Sequence, residues 1–136
     1  MTTLLSRRLK IFRLDMHSFL NLESVNDTVK LIMHRLVARR LHRDPSIVDQ
    51  ARASLARLKD RFSDRSFVAE WEDLLRRPYA EVRALLTSRS EEMRRLRLSS
   101  PFVTAEGVDF TDHSLRRRIR RTAKRIAARV YRDKST

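Results

Sequence analysis

Ten of the 31 basic residues of the chain lie between Arg116 and Lys134, and cationic groups at that density do one kind of chemistry: they bind polyanions. Arg116, Arg117, Arg118, Arg120, Arg121, Lys124, Arg125, Arg129 and Arg132 are opposed within the segment by Asp133 alone, so it carries about +9 of the formal net charge of +14. Arg outnumbers Lys, as expected where phosphates are gripped in bidentate fashion. An apolar stripe runs between the cations: Leu115, Ile119, Thr122/Ala123, Ile126 and Val130 follow at steps of three and four and share one helix face. Leu115, Ile119, Ile126 and Val130 are therefore the expected docking residues, against the chain's own core, a second copy or a partner. Arg117, Arg118, Arg121 and Arg125 lie away from Ile119 and Ile126 and are the expected phosphate contacts.

Other chemistries lack their residues. A phosphate-cradling loop or a nucleophile elbow needs several glycines, and the chain has Gly 1. Cys 0 removes disulfides, thiolate nucleophiles and thiolate metal sites together, and suits a reducing cytoplasm, the expected location. His17, His34, His42 and His113 lack the i, i+4 spacing of a helical zinc pair, and a lone helix histidine is more often a surface or capped core residue. Glu70 and Glu72 flank Trp71, and Glu91 and Glu92 open a helix. These carboxylates read as dipole partners and surface ion pairs, Glu72 with Arg76 for instance, rather than as an acid/base dyad. We expect no catalytic residue, no metal, no cofactor and no enzymatic activity.

The basic segment has four readings. Nucleic acid, DNA or RNA, is the leading one, because eight or so cations on one helix neutralise several phosphates. An acidic protein partner is the alternative, since an apolar stripe framed by arginines also fits a groove. A membrane-surface helix is disfavoured by the lack of Trp and Phe in the stripe, and a helix packed on its own domain is the fourth. No apolar run approaches the ~20 residues of a membrane span, so no integral membrane segment is expected. Met1 to Leu14 has no continuous apolar core or small-residue cleavage site and reads as a poor secretory signal.

The elements that must position this segment are helical throughout. Leu5, Leu9, Phe12, Met16 and Phe19 mark an amphipathic helix to about Leu20, though Leu9, Ile11 and the residues after could also alternate as a strand. Asn26 or Ser24 caps a second helix from about Asp27 to His42, with Val29, Met33, Leu36 and Val37 inward and Arg35, Arg39 and Arg40 outward. Asp44-Pro45 starts a third, carrying Val48, Ala51, Leu55, Leu58 and Phe62. Phe67, Val68, Trp71, Leu74 and Leu75 form the next, ended by Pro78. A short helix then carries Tyr79, Val82, Leu85 and Leu86, and Ser88 to Glu91 has capping-box spacing before Met93 and Leu96. Residues 103–112 hold the single glycine and read as a linker, with Thr111 or Asp112 capping the basic helix. No internal repeat is present.

Met33-His34-Arg35-Leu36-Val37-Ala38, then Arg43-Asp44-Pro45, Ala51-Arg52-Ala53, Glu70-Trp71, and Glu91 through Leu96-Arg97 to Ser99-Ser100-Pro101-Phe102 resemble a family of small helical bacterial proteins of unassigned function. Members are often encoded beside toxin-like nucleotidyltransferases, so the resemblance implies an antitoxin-like or regulatory subunit. It spans about residues 28–102; the amphipathic start and the arginine-rich end fall outside it.

The expected fold is an all-α small bundle with four units: residues 1–23, an amphipathic extension; 24–102, a helical core built on Leu36, Leu55, Leu58, Phe62, Trp71, Leu74 and Leu85; 103–112, a linker; and 113–136, the basic helix. The expected function is a non-enzymatic nucleic-acid-binding adaptor or antitoxin-like regulator. A homodimer or an acidic protein partner is compatible with the same stripe.

Overall fold

A computed structural model describes residues 2–61, 65–102, 110 and 112–135, and the side chains of 22–61, 65–102, 110 and 112–130. Within them the protein is all-α. In chain order the elements are α1 (Thr2–Arg43), α2 (Ser46–Arg61), α3 (Ser66–Leu75), α4 (Tyr79–Leu86), α5 (Glu91–Leu96), a 3-10 turn (Arg97–Ser99) and α6 (His113–Ser135). No strand occurs among the described residues, so the start of the chain is helix rather than the alternating strand its pattern also allowed.

The two helices expected before residue 43 are one, of 42 residues. At a rise of about 1.5 Å per residue it is roughly 63 Å long. Ser24 and Asn26 do not cap: Thr28 Oγ1 donates to the Ser24 carbonyl at 2.8 Å, a bond made inside a continuing helix. Tertiary contacts occupy the same stretch. Val25 is buried against Ala123 and Ala127, and Asp27 receives Nε of Arg94 at 2.7 Å. Helix α1 is thus the common wall on which α2, α4, the 3-10 turn and α6 pack.

The core is one cluster of Val37, Leu41, Ile47, Val48, Leu55, Val68, Trp71, Leu75, Val82, Leu86 and Phe102, among others. Of the expected core, Leu55, Trp71 and Leu74 are buried, Leu36 and Leu85 pack from its edge and Leu58 is half-buried; Phe62 lies outside the described residues. Trp71 and Phe102 meet edge to face at 6.0 Å between ring centres, an arrangement that contributes about 0.5–1.5 kcal/mol beyond area burial.

Because glycine is scarce, the short helices end without the left-handed glycine that usually closes a C-terminus. Side chains from elsewhere supply the missing donors to the open carbonyls. Arg52 Nη2 donates to Leu75 O at 2.6 Å, closing α3. Arg97 is itself buried and donates through Nη1 to Leu86 O at 3.2 Å and Ser88 O at 2.6 Å, closing α4. Burial pushes the Arg97 pKa down, while the charge of Asp27 opposes that. Trp71 Nε1 donates to Leu96 O at 3.2 Å, closing α5.

N-terminal caps follow the sequence more closely. The Ser46 amide and hydroxyl donate to Asp44 Oδ1 at 3.2 and 2.5 Å, as the Asp-Pro pair implied, and these bonds hold the Asp44 carboxyl below the ordinary carboxylate range. At α5 the cap is Ser90, accepting from the Met93 amide at 3.3 Å, two positions beyond the box expected at Ser88 and Glu91. Ser88 instead turns its Oγ to the Ser90 amide.

His34 is a capped core histidine. Its Nδ1–H donates to Lys30 O at 2.6 Å, so Nε2 accepts from Ser100 Oγ at 2.7 Å, and Ser100 Oγ accepts in turn from the Phe102 amide at 3.2 Å. Burial lowers its pKa from 6.5 to about 4. As pH falls below 6.5 the unfolded chain takes up a proton that the folded chain refuses until about pH 4. Stability therefore falls across that window and stops falling below it. Between pH 7 and pH 5 the expected loss is about 2 kcal/mol, read from urea unfolding midpoints. His34→Gln, destabilised at both pH values, loses this pH dependence; a variant with the same slope as the parent places its origin elsewhere.

Candidate nucleic-acid interface

Helix α6 is started by Asp112, whose Oδ1 accepts the Ser114 amide at 2.9 Å and whose carbonyl accepts the Arg116 amide at 3.0 Å. A carboxylate there also offsets the helix dipole, which would otherwise oppose the cations of the first turns. Of the two caps expected, Asp112 serves; Thr111 lies outside the described residues.

The apolar face of α6 is already covered by α1. Ala123 and Ala127 are buried against Val25, Val29 and Ile32, and Ile119 joins the main core with Met33 and Val37. The chain therefore runs antiparallel to α1, later residues of one meeting earlier residues of the other. Alanines at the seam let the two backbones approach closely. Of the four expected docking residues, Ile119 is 5% exposed, Leu115 and Ile126 are half-buried and Val130 is 45% exposed. The seam is thus Leu115, Ile119, Ala123 and Ala127, a line at steps of four that drifts off the one drawn through Thr122 and Val130. Thr122 is exposed and returns its hydroxyl to Arg118 O at 3.0 Å.

Every described cation of the segment is exposed: Arg116, Arg117, Arg118, Arg120, Arg121, Lys124, Arg125 and Arg129. The side chain of Arg132 lies outside the described residues. At 3.6 residues per turn, Arg117, Arg121 and Lys124 point most directly away from Ile119, with Arg116 and Arg120 on one flank and Arg118, Arg125 and Arg129 on the other. His113, Arg116, Arg117 and Arg120, at i, i+3, i+4 and i+7, line an open trough of about 560 Å³.

Among the described residues these guanidinium groups have no ion pair. Ion pairs form elsewhere: Asp27 with Arg94 at 2.7 Å, Glu70 with Arg95 at 3.0 Å, Glu72 with Lys59 at 3.0 Å, Asp49 with Arg52 at 3.5 Å, Glu91 with Arg94 at 3.2 Å and Asp73 with Arg77 at 3.9 Å. Glu72 pairs across to α2, not with Arg76 as its spacing suggested. On α6 itself, Arg116/Arg120, Arg117/Arg121, Arg120/Lys124, Arg121/Arg125 and Arg125/Arg129 are like charges one turn apart, each unfavourable by about 0.2–0.5 kcal/mol. Such a surface is electrostatically loaded, and a polyanion unloads it.

The remaining candidates disperse. His34 is sealed in the core, whereas His42 is exposed and receives Arg83 Nη1 at its Nδ1, so the two do not share a face. Among the described residues no three His, Cys, Asp or Glu converge as metal ligands, and no helix is long and apolar enough to cross a membrane. One basic surface escaped the sequence reading: Arg35, Arg39, His42 and Arg43 of α1 face Arg83 of α4 across a groove. The signal was present as arginines at positions 35, 39 and 43, but the α4 side depends on how the helices pack.

No family model, no curated protein and no solved structure matches the chain.

Two measurements check the geometry. Because like charges are screened by salt, the melting temperature should rise as NaCl increases from roughly 50 to 500 mM, and a falling one contradicts the unpaired surface. Ala123→Leu inserts volume into the α1–α6 seam and should cost about 1–3 kcal/mol in urea unfolding; a neutral substitution means that α6 is not packed there.

Proposed function

We propose that the protein is a non-enzymatic nucleic-acid-binding adaptor that grips phosphate backbone through α6. The observation that carries this is the division of labour on one helix: its apolar face is committed to α1, and its described cations are exposed with no ion pair among the described residues. Arg117, Arg118, Arg121 and Arg125 supply bidentate donors, and Arg116, Arg120, Lys124 and Arg129 widen the track. Contact of this kind is read through phosphates and carries little base preference.

The same observation weakens the alternative, an acidic protein partner that takes α6 into a groove. Groove binding draws its energy from buried apolar anchors, and Ile119 is already spent inside the chain while Val130 alone stands exposed. The regulatory part, an antitoxin-like subunit, draws on the resemblance over residues 28–102. In it the matched residues form a scaffold, and binding falls to α6 beyond the match.

The test is the salt dependence of binding to a labelled 20-base-pair duplex and a labelled 20-nucleotide RNA. For the duplex, log K should fall linearly with log salt, and the variant with Arg117, Arg118, Arg121 and Arg125 all replaced by Gln should lose about 3–4 units of slope. Binding that is insensitive to salt, or unchanged in this variant, removes the proposal.

A further inference from the structure

The groove between α1 and α4 lies outside the basic helix and has its own charge pattern. Its volume is about 690 Å³, and Arg35, Arg39, His42, Arg43 and Arg83 line it together with Ala38, Ala84 and Thr87. No carboxylate and no Phe, Tyr or Trp is among its lining residues, and its one ring, the His42 imidazole, is tied to Arg83. Arg35 and Arg83 are half-buried, yet among the described residues neither has an ion pair, and Arg83 is held in place by donating to His42 Nδ1. Half-burying a guanidinium costs solvation, and the cost is normally offset by a carboxylate. Here no counter-charge is found among the described residues.

Two geometric facts say what supplies it. Arg35, Arg39 and Arg43 stand at i, i+4 and i+8, so their Cα atoms rise about 6 Å per step, a ladder suited to successive phosphodiesters along an extended backbone. Arg35 and Arg39 also lie three and seven residues after Ile32. They continue the α1 face onto which α6 is laid, on the side toward which the antiparallel α6 begins. By the same periodicity the flank of α6 on that side carries Arg118, Arg125 and Arg129, so a strand tracking that flank toward the start of α6 is directed toward this groove. A nucleotide-sized ligand fits less well, because recognition of a base draws on large stacking rings, and the groove offers only an imidazole already engaged by Arg83.

We propose that the α1–α4 groove is a second phosphate-backbone site, which extends the α6 track so that one nucleic-acid strand contacts both. It rests on the nucleic-acid reading of α6 for the identity of the ligand, but on separate residues.

The full-length protein, the α6 variant described above, a groove variant (Arg35→Gln, Arg39→Gln, Arg83→Gln) and their combination are titrated with the labelled duplex across a salt series. The groove variant should lose about 2–3 units of salt slope while keeping the remainder, and the combination should lose both contributions. A groove variant that binds with the parental affinity and slope overturns the second site, whatever α6 does. An α6 variant at parental strength beside a weakened groove variant overturns the α6 proposal and leaves the groove standing. If the groove variant melts early, Arg39→Gln with Arg43→Gln, both exposed, replaces it, with about 1–2 units of slope expected and no loss counting against the site. An acidic peptide of equal charge added as competitor should displace the duplex from the α6 variant poorly; displacement as efficient as by unlabelled duplex assigns the groove to protein acids and overturns its phosphate role.

Discussion

The seam between α1 and α6 is the constraint from which the rest follows. Ala123 and Ala127 meet Val25, Val29 and Ile32, and in doing so they fix which way the arginines point. A cationic helix of this composition is poor at holding itself together, since like charges recur at each turn. It persists because Ile119 anchors it in the core and the alanine faces fit against α1. The small side chains bury little area individually, so their contribution lies in the closeness of approach and in the van der Waals contacts it permits.

Charge is sorted over the molecule in a way that formal net charge conceals. The ion pairs among the described residues join α1, α2, α3 and α5 or the turns beside them. Exposed pairs of this kind are worth about 0–1 kcal/mol each, so their chief effect is to cancel field on those surfaces rather than to stabilise. Among the described residues, the densest groups of cations without an ion pair lie on α6 and in the α1–α4 groove. Two arginines have a further duty: Arg52, beside its pairing with Asp49, and the buried Arg97 serve as donors to helix ends, where another chain would use glycine.

The fold class and most helix positions could be read from apolar periodicity, because α2, α3 and α4 each bury a regular stripe. Asp44-Pro45 and Pro78 marked their boundaries for local steric reasons that no tertiary contact reversed. The merged α1 was not legible: Ser24 and Asn26 are good caps in isolation, and only the arrival of Arg94 and the α6 alanines makes helix the better state there. The buried linkage from His34 through Ser100 to Phe102 was equally hidden, being a contact across 66 positions. At the candidate interface the exposed cations were readable from composition. The docking line was only partly so: Ala123 stood on the stripe, but the sequence favoured large Ile126 and Val130 where packing selected Ala127.

One helix, α1, belongs to both surfaces: it lines the groove with Arg35, Arg39 and Arg43 and holds α6 through Val25, Val29 and Ile32. Their offset is settled when the chain folds, so the entropy of bringing two weak contact zones together is not charged again at the encounter. For a polyanion that reaches both surfaces, as proposed, modest grips multiply instead of averaging, which is the chelate effect built from one long helix and its neighbours.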